Sequence, residues 1–102
     1  MASRLELQAE LEALLGSKNV YFQPPESKKL QYDCIVYSRD NIETKKADNK
    51  NYMFANRYTL TFIYRDPDSE KPKQILERFD YCRMTNHVVV DNLYHDVYSL
   101  YY

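Results

Sequence analysis

The sequence predicts an α+β fold: one two-layer domain whose mainly antiparallel sheet is covered by an N-terminal helix and a second short helix, with a long hairpin loop. Three observations lead there. Leucines recur at helical spacing near the start, and a second, shorter apolar face follows residue 70. Several stretches alternate in the period-2 manner of half-buried strands. The 102 residues suffice for a single core but not for two, so residues 1–102 are read as one domain.

The clearest strand is Arg57–Arg65. Tyr58, Leu60, Phe62 and Tyr64 fall on one side and Arg57, Thr59, Thr61 and Arg65 on the other, with Ile63 as the exception. Aromatic and β-branched side chains suit such a pleated surface. Asp66-Pro67 ends it, because proline has no donor for the ladder and biases its predecessor toward extended backbone.

The elements follow in order. Ser3 and Glu6 have the spacing of a capping box. Leu7, Leu11, Leu14 and Leu15 keep helical spacing, and Gly16 stands where a left-handed cap belongs. A helix is therefore predicted from Ser3 to Leu15, with Gln8, Glu10 and Glu12 turned to water or a partner. Val20–Gln23 is a short extended segment stopped by Pro24-Pro25, and Tyr32–Ser38 is a compact apolar strand. Residues 39–51 hold one strong hydrophobe in thirteen. They are read as a long polar loop or arm, mobile in the free chain and ordered against a neighbour. Ser69 is placed as the cap of a short helix carrying Ile75, Leu76 and Phe79, with Glu70 in its first turn and Pro72 near it. Tyr81–Val90 and Leu93–Tyr102 form the last hairpin, turned by Asp91-Asn92.

Composition narrows the function. Fourteen basic and fifteen acidic residues leave a net charge of −1, which argues against affinity gained mainly from phosphates. One glycine leaves little room for a phosphate-cradling loop. No apolar run approaches the ~20 residues that cross a bilayer, and the first residues lack a signal peptide's apolar region. A cytoplasmic setting without a membrane is expected. Cys34 and Cys82 match neither a metal site nor a disulfide framework and are read as buried thiols.

Four constellations invite chemistry, and each has a plainer explanation. Asp66, Asp68 and Glu70 alternate like calcium ligands but lack the turn glycine and distal glutamate. Asp66, Glu70 and Lys73 resemble a nuclease set only if surface charges are forced together. His87 and His95 lie four residues either side of Asp91, a spacing that would set them face to face across the hairpin, with Cys82 as a third zinc ligand. Cross-strand polar pairing explains them as well. His95, Asp96 and Ser99 lack the sharp turn and oxyanion hole of a nucleophilic triad. No enzyme activity, metal or cofactor is expected.

Eleven tyrosines suit surfaces that are dry in an assembly and wet outside it. Tyr94, Tyr98, Leu100 and Tyr102 share one face of the last strand, with Val97 and Tyr101 on the other. Either the strand is interior, or one covering layer is another subunit. Tyr94, Tyr98 and Tyr101, with Asp48, Asn49 and Lys50 of the arm, are the candidate subunit-interface residues.

Five segments, Asn19–Pro25, Tyr32–Tyr37, Ala47–Lys50, Arg57–Ser69 and Asp91–Val97, together resemble the small tail completion, or tail terminator, proteins of long-tailed bacteriophages. The most specific parts are Arg65–Ser69 and the turn Asp91–Val97. Asp33 departs from the pattern, which has proline before the strand. The resemblance implies a virion protein without catalytic residues. It would form a homo-oligomeric ring, a hexamer in better understood relatives. The ring would cap the tail tube and join it to the head connector, with DNA only as passing cargo. The alternatives are a head-closure or neck connector protein and a small cytoplasmic binding module of the inhibitor or immunity type.

Overall fold

The computed structural model describes residues 3–47 and 51–102, with the side chains of 41–55 outside that description. The order is α1 (Arg4–Leu15), β1 (Val20–Phe22), β2 (Cys34–Ala47), β3 (Asn51–Tyr64), α2 (Lys71–Arg78), β4 (Cys82–Val90) and β5 (Leu93–Tyr101). One five-stranded sheet runs β1-β2-β3-β5-β4. Only the β1–β2 pair is parallel. This is the expected α+β class.

The two ends of α1 form as their residues predict. Ser3 Oγ accepts from the Glu6 amide, and Gly16, at φ 78°, returns its N–H to the Glu12 carbonyl. Left-handed backbone there favours glycine, which has no Cβ to clash. Leu7 and Leu11 are completely buried. The polar face differs from expectation. Gln8 accepts from the Tyr37 hydroxyl at 2.5 Å and donates to the Val20 carbonyl at 3.0 Å. Glu10 binds Arg78 and the Tyr102 hydroxyl. The helix lies low enough on the sheet for these side chains to tie it down at both margins.

The core is the helix-facing side of the sheet. Tyr58, Leu60 and Phe62 are fully buried and Tyr64 nearly so, against Ile35 and Tyr37 of β2, Tyr98 and Leu100 of β5, and Ile75 and Phe79. Aromatic contact continues through it, with Phe62 and Tyr64 stacked at 4.6 Å. Ile63, on the reverse face, is buried beside Cys34, its cross-strand partner.

Residues 39–47, with Asn51 opposite them, correct the reading of a loop, while 48–50 lie outside the described residues. β2 and β3 stay paired from Cys34–Ile63 out to Ala47–Asn51, with a bulge between Arg39 and Asn41. Among the described residues no third strand pairs with β3 beyond Arg57, so the arm is a two-stranded ribbon. Backbone bonding needs no apolar side chains, which is why the hydrophobic pattern missed it. At its base Asp40 accepts from Arg57 Nε at 2.9 Å and from Thr59. Those two bonds hold its carboxyl below the usual range.

The start of α2 also shifts. Glu70 occupies the cap position and makes no side-chain capping bond. Ser69 Oγ, one residue earlier, accepts from the Lys71 amide at 3.3 Å. Glu70 is already helical in backbone (φ −84°, ψ −8°), so Ser69 does the capping chemistry from outside the regular helix. Leu76, expected on the apolar face, is exposed.

Truncating Leu11 should test the packing. Leu11→Ala is expected to lose about 2–5 kcal/mol, seen as a lower urea midpoint with unchanged slope. Leu5→Ala, at a side chain 68% exposed, should stay within about 0.5 kcal/mol of the parent.

Candidate assembly surface

The last hairpin decides between the chemical readings. Asp91 and Asn92 both adopt left-handed backbone (φ 51° and 62°), the two-residue turn that matches strand twist. The register then pairs His87 with Asp96 and Val88 with His95. Neighbouring positions on a strand face opposite ways, so the two histidines lie on opposite faces of the sheet. Cys82 is at the far end, opposite Leu100. Among the described residues no three metal-ligating side chains converge. The triad in name is divided too. Asp96 points into the helix-covered layer, while His95 and Ser99 share the other face. Asp66 Oδ1 accepts from the Asp68 amide at 2.9 Å, and the Asp66 carbonyl accepts from the Ser69 amide. These residues make the turn into α2.

Asp96 is the polar residue the sequence reading placed on no face. Its carboxylate is 1% exposed, accepting from the Tyr64 hydroxyl at 2.7 Å and contacting His87 Nδ1. The Tyr64 hydroxyl is pushed up by burial and by this bond. His87 stacks on Tyr94, which stacks on Tyr64. The alternation Tyr94, Asp96, Tyr98, Leu100 carried the signal, because it puts the acid on the core face.

The interface candidates separate. Tyr98 is completely buried and belongs to the core, so it offers no surface. Tyr94 and Tyr101 are half-buried. Tyr101 sits on the open face opposite Arg57. Asp48, Asn49 and Lys50 lie outside the described residues.

The exposed apolar groups gather at one margin. Among the described residues β4 pairs only with β5, and α2 reaches only part of it, with Cys82 packed against the core. Met84 (40%) and Val89 (55%) are therefore exposed although they share the helix-facing side with Tyr98 and Tyr94. Val88 and Val90 are exposed on the reverse face, and Tyr81, just before the other end of β4, is exposed as well. The outer edge carries no proline or lysine, the usual guards of an open edge. β1, at the other margin, is three residues long, and the Gln8 amide occupies its Val20 carbonyl. A shallow cleft between α1 and α2, lined by Ala9, Ala13, Leu14 and Gln74, is open to solvent.

No protein-family model, no curated protein and no solved structure matches the chain. No helix among the described residues is long and apolar enough to cross a membrane.

Both thiols are free. Cys34 is fully buried and Cys82 half-buried. Burial pushes each up to about 11 from 9.0, with Asp33 adding to the rise at Cys34. The folded chain thus keeps protons that the unfolded chain releases, and their stabilising effect is complete below pH 9 and lost as pH rises toward 11. Urea midpoints should fall across this window, and Cys34→Ala should flatten the fall relative to its own midpoint below pH 9.

Proposed function

We propose that this chain is a structural protein of a long-tailed phage virion, a tail terminator that self-associates into a ring at the head-proximal end of the tail tube. The observation that carries this reading is the β2–β3 ribbon. It gives a chain of 102 residues a long dimension of 52 Å against 28 and 23 Å. A two-stranded ribbon is at best marginally stable alone in water, so a long one suits a chain that lays it against a neighbour. The half-buried Tyr94 and Tyr101 supply aromatic anchors of the kind that dominate association energies. The segments Arg65–Ser69 and Asp91–Val97 resemble the terminator pattern; the first leads from β3 to α2, and the second is a two-residue turn with the first half of β5.

A terminator binds the end of a tube and refuses the next tube ring, so its two axial faces must differ. This subunit has two unlike layers, helices on one side and an open sheet face on the other. On the open face Val36, Thr59, Thr61, Val97 and Ser99 are half-buried, a flat surface of short side chains. With a net charge of −1 the ring would pass DNA without holding it, since affinity for a duplex grows with each phosphate neutralised. A head-closure ring shares this scale, and its position relative to the tube distinguishes it.

Phage carrying Tyr94→Ser with Tyr101→Ser should accumulate separate full heads and unfinished or overlong tails in electron micrographs. The reading fails if heads and tails join normally while the altered protein no longer forms rings. It also fails if the parent protein never binds tube ends.

A further inference from the structure

We infer that two free chains join through their β4 edges, antiparallel and about a twofold axis at Val88. This concerns the chain before any assembly and does not rest on the tail-terminator reading.

The argument begins with which backbone groups are spare. A two-residue turn closes on a hydrogen-bonded pair, here Val90 and Leu93. Bonding alternates along an antiparallel ladder, so Val88 and Asn86 also turn their polar groups toward β5. The His87 C=O and both backbone groups of Val89 are left facing the open edge, where the His87 N–H also points but is held by Asn86 Oδ1 at 2.9 Å. The bulge between Met84 and Asn86 bends the strand and ends the flat part there, and the turn at Asp91 ends it on the other side. The usable segment is therefore Asn86–Val90, and its centre is Val88.

That segment is self-complementary. Centred on Val88, His87 of one copy meets Val89 of the second, and Val89 meets His87. The three spare groups on each chain then find partners, and the His87 N–H exchanges its Asn86 side-chain acceptor for the Val89 carbonyl of the second copy. Val88 faces its own copy in a non-hydrogen-bonded pair, where side chains approach most closely, and Val90 lies across from Asn86. The three valines, 40%, 55% and 49% exposed in the single chain, are covered together. Arg83 comes beside Asp91 of the second copy, an offset that a long side chain spans. Among the described residues neither Arg83 nor Asp91 pairs with another charge within its own chain.

The occupant follows from the other margin. Joining β4 of one copy to β1 of the next would extend the sheet indefinitely, but β1 offers only Val20–Phe22 and its Val20 carbonyl is taken by Gln8. Extension from β4 to β1 is thus blocked, and pairing of β4 with its own copy is isologous and closes at two.

The test is sedimentation of the full chain over a concentration series, paired with amide hydrogen exchange. The expected result is a mass of two chains with slow exchange at His87 and Val89. Val88→Lys sets two like charges face to face and should raise the concentration for half-association at least about tenfold. Leu5→Lys, at an exposed apolar site on α1, should leave it unchanged. The exchange measurement needs no variant, so it stands even if Val88→Lys misfolds. A chain that stays single, or a pair whose His87 and Val89 amides exchange fast, overturns the inference. Rings with fast exchange at those amides would overturn it and leave the terminator reading intact.

Discussion

One face of β3 is the surface on which the rest of the chain is laid. Tyr58, Leu60, Phe62 and Tyr64 form a row of large side chains, and burying such a row removes more apolar area from water than any other single step here. α1 answers it with Leu7 and Leu11, β2 with Ile35 and Tyr37, and β5 with Tyr98 and Leu100. Because side chains alternate strictly along a strand, a slip of one residue would send the whole row to solvent. The register of β3 therefore sets the register of both neighbours, and the helices can dock on only one side.

That constraint explains why some of the fold was legible. Ser3, Glu6, the leucine spacing and Gly16 all act within a few residues of one another, and α1 followed from them. Asp91 and Asn92 similarly announced the last turn. The β2–β3 ribbon was not legible as strand, since its pairing is backbone to backbone and leaves no apolar rhythm. Tyr98 illustrates a different limit. Period-2 alternation says which residues share a face but not whether that face meets a helix or another molecule. Its neighbour Asp96 could have been noticed on the core face, yet its partners Tyr64 and His87 come from two other strands, which pattern alone does not bring together.

The candidate surface was legible only as composition. An abundance of tyrosine suggested association, while the structure divides the tyrosines among core, stack and margin. The exposed apolar margin is built instead from Val88, Val89 and Val90, a run that reads in sequence as an ordinary buried strand. Its exposure depends on two facts of topology: β4 is outermost, and the helix layer leaves its valine-bearing part uncovered. The opposite margin is short and has a carbonyl capped by Gln8.

β5 is the last strand in the chain and lies between β3 and β4. During synthesis, β4 consequently leaves the ribosome before the strand it bonds to, and Tyr98 and Leu100 are missing from the core until β5 emerges. Asp96, the acceptor for Tyr64 and His87, arrives equally late. Completion of the sheet thus waits on β5, and a chain broken before β5 would carry an unpaired, valine-rich strand. Such a product presents to the cell's chaperones and proteases the kind of surface by which unfinished proteins are recognised.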